Sequence, residues 1–296
     1  MDSQDYYEVA WQCRANVLRQ LAHDCDYDLR ETLRSLVNFE QTHALKVMVD
    51  KGIDRFTGNP VEIFDQAEFY KIENAKPPRP ISLNGLSRLW QGENRTDKVI
   101  PQDIPAYILS GLINHGDFDA VIELGCGFAG RLFETFYQVK RTPIKYFGGE
   151  LTKAGQKLAG ELAEMEPEIN FRTFAYDHMK PEPPENSDCR NQLIFTCHSI
   201  EQVPYLPDNF IEKLCRFSAN VTVVHFEPFG FQARTNTISA KNHARVAGNM
   251  NFNKNLYALM ERATRDALID LKWVSVNLFR LDQSNPTSVA IWQKKI

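Results

Sequence analysis

A chain of 296 residues with 43% hydrophobic and 24% charged residues has the composition of a soluble globular protein, long enough for one large domain and a smaller one. The formal net charge of −4 argues against a general nucleic-acid binder, and no apolar run approaches the ~20 residues that span a bilayer. Six cysteines (Cys13, Cys25, Cys126, Cys189, Cys197, Cys215) lack any C-x-x-C pair, so they read as reduced thiols and not as a disulfide frame or a metal site.

The opening, MDSQDYYEVAWQCR, lacks the basic and apolar regions of a signal peptide, and a cytoplasmic protein is expected. Tyr7, Trp11, Leu18 and Leu21 recur at helical spacing, as do Leu29, Leu33, Leu36, Val37 and Met48, with Asp28 and Glu31 as a capping start for the second helix. Residues 1–75 hold 14 acids and 8 Lys/Arg, a net of −6. This N-terminal helical region (1–80) reads as a solvated face, or as a lid or homodimerisation element. KPPRP, Lys76 to Pro80, breaks any helix and predicts a hinge to the second domain, 81–296.

Residues 103–115 predict a helix. Then comes VIELGCGFAG: an apolar run ends in Glu123, and Gly125, Gly127 and Gly130 precede an amphipathic stretch, Arg131 to Val139. That pattern is strand, acid at the strand tip, tight turn, helix. Glycines let backbone approach a ligand, and a helix start offers free N–H groups. The glycines also fit the dinucleotide pattern G-x-G-x-x-G. Glu123, however, would repel a pyrophosphate and suits hydroxyls or an ammonium group. The ligand suggested is a nucleoside carrying an amino acid.

Beyond the turn, strands are expected at Ile144 to Gly149, Asn170 to Tyr176, Gln192 to Cys197 and Val221 to Phe226. Helices at Lys153 to Glu164 and Asn209 to Phe217 separate most of them. This alternation implies right-handed crossovers and a parallel sheet with helices on both faces. A helix from Leu256 to Leu271 is followed by strands Trp273 to Leu281 and Thr287 to Gln293, joined so briefly that they must be antiparallel neighbours. Between them and the fifth strand, residues 229–255 carry Arg234, Lys241, Arg245 and Lys254, six asparagines and no acid. That composition suggests a mobile, basic loop over the acceptor site for a polar or anionic molecule, or simply a solvated loop.

From about residue 118 onward the chain resembles a class I S-adenosylmethionine-dependent methyltransferase of the small-molecule type. ELGCGFAG is similar to the first motif of that family, E/D-x-G-x-G-x-G, with Ala129 at the third glycine position and Gly130 next to it. Glu150, ending KYFGGE, matches the acid expected on the ribose hydroxyls. Asp177, ending FRTFAYD, matches the polar residue expected near the adenine. LIFTCHSIEQV, Leu193 to Val203, resembles the segment after strand four. The resemblance implies a Rossmann-like α/β fold, a seven-stranded, mostly parallel sheet whose last strand runs antiparallel. It implies cofactor contacts from Glu123, Gly125, Cys126, Gly127, Glu150, Asp177, His178 and Cys197. The acceptor contacts expected are Tyr205, Arg234, His243 and Arg245.

The chemistry implied is methyl transfer from S-adenosyl-L-methionine to a small polar acceptor. A hydroxyl acceptor needs a base, and His198, Glu201 and Glu227 are the candidates, His198 first because its ordinary pKa lies near neutrality. Glu201, three residues on, can orient the imidazole or act itself. His225 reads as a satisfied core histidine. Two other readings remain: an NAD(P)-dependent oxidoreductase, and an inactive methyltransferase-like binding module.

Overall fold

The computed structural model describes residues 7, 8, 11, 12, 15, 19, 28–30, 32, 33, 103–139, 143–185, 188–234, 236, 238–280 and 285–295. The expected hinge at Lys76 to Pro80 and the positions Leu18, Leu21, Leu36, Val37 and Met48 lie outside them.

An apolar helix, α1 (Asp103–His115), leads in; Pro105 sits in its first turn, where its missing N–H leaves nothing unpaired. Strand β1 (Ala120–Leu124) follows, then α2 (Gly130–Gln138), β2 (Lys145–Glu150), α3 (Lys153–Glu164), β3 (Phe171–Ala175), β4 (Asn191–Cys197), α4 (Phe210–Cys215) and β5 (Asn220–Glu227). Two helices, α5 (Gly230–Ala233) and α6 (Ile238–Asn249), come next, then α7 (Leu256–Arg265), β6 (Ile269–Arg280) and β7 (Pro286–Lys294).

The strands form a seven-stranded sheet in the order β3-β2-β1-β4-β5-β7-β6. β1 to β5 are mutually parallel, and β7 is antiparallel to both β5 and β6. This is the layout that the resemblance implies. β1, β4 and β5 are almost wholly buried because both faces are covered, so their sequences are continuous apolar runs. Alternate residues serve opposite faces. Val121, Leu193, Phe195, Val224 and Phe226 join Leu109, Leu132, Phe133, Leu158 and Leu162 from α1, α2 and α3 in one core. Ala120, Ile122, Leu124, Ile194, Val221 and Val223 join Leu214, Leu256, Met260 and Trp292 in the other.

Two expectations are corrected. The last long helix ends at Arg265, not Leu271, and β6 begins at Ile269. Ala267 turns left-handed, φ 56°, and the Leu268 N–H reaches back to the Ala263 carbonyl at 2.9 Å. Such a bond closes a helix and frees the chain to extend. Residues 229–255 are not a loop. Alanines and long cations in 238–249 favour α6, while the asparagines of the segment other than Asn242 lie at or beyond its ends, where their side chains suit turns. Among the described residues no helix is long and apolar enough to cross a membrane.

Described N-terminal residues are helical and reach the same core: Ala15, Leu29 and Leu33 are buried against α1, α2 and α3. Asp28 stands just before helical Leu29, and its carbonyl accepts the Thr32 N–H at 2.9 Å.

Candidate functional site

Parallel strands place their carboxyl ends together, and the strand order reverses between β1 and β4. Ligands of open α/β sheets bind at such a reversal. At the tip of β1 the chain turns sharply: Gly125 has φ 75° and Gly127 φ 56°. The Gly125 and Cys126 N–H groups both donate to the Gly149 carbonyl, at 2.8 and 3.0 Å, so β2 anchors the turn.

Ala129, which stands at the third glycine position of the motif, has φ 61°, a conformation glycine adopts freely and alanine does not. Gly130 does not replace that glycine. A Cβ there would come 2.4 Å from the Phe128 ring, so it is small for packing.

Glu123 lies fully buried under this turn, and neither carboxylate oxygen makes a close hydrogen bond among the described residues. Loss of water pushes its pKa up to about 8; Arg131 and the Leu132 amide pull it partly back, and Glu150 pushes it further. A buried carboxylate without a partner is costly and favours a cation beside it.

Glu150, at the tip of β2, behaves differently. One oxygen accepts the Gly127 N–H at 2.9 Å, and the other accepts the Thr152 N–H and hydroxyl at 3.0 and 2.8 Å. It therefore shapes the glycine turn from beneath. Asp177, half-buried past β3, accepts the Met179 N–H at 2.8 Å. His178 is buried and held neutral, its pKa pushed down to about 3 by burial. Its Nε2 lies 3.1 Å from the Ser199 hydroxyl, which donates to the Leu124 carbonyl at 2.9 Å. Gly125 makes room for this pair, since a Cβ would meet Ser199 at 2.4 Å. Glu123, Gly125, Gly127, Glu150, His178 and Ser199 thus converge on one place. Burial raises the thiol pKa values of Cys126 and Cys197, the latter to about 12, so both are inert walls.

A second polar group gathers at the tips of β4, β5 and β7. His198 has φ 52°, a strained left-handed conformation that sits at the end of β4. Its Nδ1 is 3.1 Å from Glu201, and its Nε2 is 2.7 Å from the Thr287 hydroxyl. Glu201 also accepts from Asn285 at 2.7 Å and from Gln202 at 3.1 Å. Glu227 accepts the backbone N–H groups of Ser199, Ile200 and Glu201 at 3.1, 3.2 and 3.3 Å. It caps the short helical turn after β4, and burial raises its pKa to about 7. The crevice lined by Glu201, Glu227, Phe229, Gln232 and Asn253 encloses about 10 Å³, room for a single water.

The four expected acceptor contacts are dispersed. Tyr205 is 59% exposed, with the Lys254 ammonium 5.5 Å from its ring. Arg234 and Arg245 are exposed, whereas His243 is buried, packed 4.9 Å from the Phe231 ring. His225 is only half satisfied: Nδ1 meets the Thr196 hydroxyl at 3.0 Å, and Nε2 has no partner among the described residues.

Several contributors escape a reading of the sequence. Ser199 lies inside the segment singled out, but Asn285, just before β7, and Thr287, at its start, carry no local signal. Asn253 and Asn255, in the segment expected to be a loop, tie it down: Asn253 donates to the Val203 carbonyl and Asn255 to that of Leu206, both at 2.8 Å.

No model of a known protein family matches the chain, and no curated protein matches it. Solved structures similar to it include geranyl diphosphate C-methyltransferase from Streptomyces coelicolor A3(2), 11% identical over 66% of this chain and 78% of that one, TM-score 0.46. A SAM dependent methyltransferase from Aquifex aeolicus is 14% identical over 70% of this chain and 97% of that one, TM-score 0.41. The O-methyltransferase from Bacillus cereus is 9% identical over 71% and 88%, TM-score 0.45. The strand order and the site residues stand on their own geometry.

Proposed function

We propose that the chain is a methyltransferase that uses S-adenosyl-L-methionine and acts on a small polar acceptor. The observation that carries this reading is Glu123: a fully buried carboxyl with no close hydrogen bond among the described residues, beneath a glycine turn at the reversal of strand order. It fits a ligand that brings its own ammonium group, and a pyrophosphate would be repelled from it. Glu150, at the tip of the neighbouring strand, can meet a ribose diol as well as the turn, and Asp177 stands at the third tip for the base. The residues present therefore fit the cofactor. When bound, the cofactor supplies a methyl group already activated on a sulfonium.

The chain's own work is to position that group and to take a proton from a hydroxyl or amine acceptor. Holding reactants in line is worth up to ~7–11 kcal/mol. His198 is the base in this reading. Glu201 accepts from Nδ1 and so leaves the lone pair on Nε2, which faces a neutral hydroxyl, that of Thr287, replaceable by an acceptor hydroxyl. Glu227 is committed to three backbone N–H groups and positions the turn instead.

Calorimetry of the pure protein with S-adenosylmethionine, adenosylhomocysteine and NADH tests the cofactor. Binding of the first two and not the third is expected; tighter NADH binding would overturn the reading. Transfer of labelled methyl groups to fractionated metabolites then tests for a small acceptor.

A further inference from the structure

The described residues of the N-terminal helix meet the rim of the cofactor cleft. Glu8 places its two carboxylate oxygens 2.9 Å from the Lys153 and Ala154 N–H groups, the free donors that open α3. α3 starts three residues after Glu150. Further down the same helix, Arg19 forms a paired contact with Glu161 at 2.9 and 3.0 Å. Two polar ties thus hold the helix alongside α3, with its Glu8 end at the carboxyl edge of the sheet.

Trp11 lies between those ties. Its ring meets Phe128 edge-on at 5.8 Å. It also fills the space beside Gly127: a Cβ on that glycine would come 2.4 Å from Trp11 Cζ2. The other side of Gly127 is fixed, because its N–H is held by Glu150. The glycine therefore makes room for an indole from the far end of the chain. Trp11 is only partly buried.

We propose that this helix is a wall of the cofactor site: Trp11 is a ligand-contact residue that packs on the bound cofactor where Glu150 and Gly127 hold it, and Glu8 is the positioning residue that seats the helix. This inference takes the ligand's identity from the methyl-transfer reading. It assigns the N-terminal helix a part in ligand binding and makes Gly127 the joint between the two halves of the molecule.

The test uses the full chain with adenosylhomocysteine. Failure of the wild-type protein to bind either S-adenosylmethionine or adenosylhomocysteine would sink the methyl-transfer reading itself. Given binding, saturating ligand should slow hydrogen exchange of the amides around residues 7–19 in the wild-type protein. Unchanged exchange overturns the wall, and this arm needs no variant. Trp11→Ala should raise the dissociation constant roughly tenfold, while Trp11→Phe, keeping an aromatic face, should stay within about threefold. Glu8→Gln should speed ligand dissociation. If both Trp11 variants lose thermal stability but bind as tightly as the wild type, the ring is a packing element only, and the proposal fails while the cofactor assignment survives.

Discussion

The tip of β1 and the tips of β4, β5 and β7 are built on opposite principles. Beneath the glycine turn the Glu123 carboxyl is buried with neither oxygen closely hydrogen-bonded among the described residues. Around His198, a few residues along the same edge, both glutamates are partnered: Glu201 by His198, Gln202 and Asn285, Glu227 by three backbone amides. A buried carboxyl is costly to ionise even with Arg131 nearby, and it makes sense where a ligand brings a further cation to it. A closed network makes the surrounding backbone rigid and holds its shape whether or not a ligand is present. The contrast separates a carboxyl left open to a ligand from a network that holds its own shape around the proposed base.

The largest effect should come from breaking the first half of that contrast. Glu123→Gln keeps the shape but cannot ionise. It should weaken S-adenosylmethionine binding by about 3 kcal/mol or more, the scale of an uncompensated buried charge partner. The stability of the ligand-free protein at pH 7 should hardly move. Calorimetry and urea unfolding check the two halves, and a large loss of stability with unchanged affinity would reverse the assignment.

Glu227→Ala should show the opposite pattern. Stranding three N–H groups costs about 2–3 kcal/mol of stability. Cofactor affinity should change far less than in Glu123→Gln. Denaturant midpoints of the two variants, compared side by side, decide which carboxylate supports the fold.

The pH dependence sharpens the comparison. The folded protein holds protons on Glu123 up to about 8 and on Glu227 up to about 7, well above the ordinary carboxylate range. Such groups bind more protons folded than unfolded, so their contribution is full at acid pH and is lost as pH rises through those values. His178 and His225, both pushed down to about 3, act oppositely: their contribution is lost as pH falls from the ordinary histidine range toward 3. Through the mildly acidic range the two pairs offset each other, and above about 6.5 the carboxylates act alone. The ligand-free protein should then lose roughly 2 kcal/mol between pH 6.5 and 8. Urea unfolding at the two pH values tests this, and a flat profile would mean that Glu123 is already ionised below pH 6.5.

The smallest effect should follow changes at the exposed cations. Replacing Arg234, Lys241 and Arg245 together by Gln should alter stability by less than ~0.5 kcal/mol and leave cofactor affinity intact. Any effect on acceptor KM should fade with salt. A marked loss of cofactor affinity would show that α6 belongs to the first region after all.

The sequence carries the sheet because each strand reports its own burial: alternating strands and helices, with two terminal strands and too short a link for a crossover, leave few topologies. The end of α7 was not legible, since Leu268 and Leu271 continue the apolar pattern and the stop is a left-handed Ala267, which carries no propensity signal. The segment 229–255 misled because its asparagines look like loop residues, whereas Asn253 and Asn255 fasten the turn after β4. In the site, Glu123 and Glu150 were legible as acids at strand tips. Their division of labour was not, because it depends on which amides lie within reach. Thr287, Asn285 and Trp11 arrive from distant parts of the chain, and no local pattern could have joined them to His198 or Gly127.

The insertion of β7 between β5 and β6 bears on how the chain is made. β5 finds its antiparallel neighbour only in residues 288–293. On the ribosome, every other described strand has therefore been synthesised while that edge of β5 is still bare and the buried place of Trp292 still empty. Nascent chain in this interval exposes an apolar strand edge, a template for pairing with other chains. Folding of the sheet is thus a late event in synthesis, and a chain released before Trp292 should depend on chaperones and aggregate without them, even with every residue of the cofactor cleft already in place.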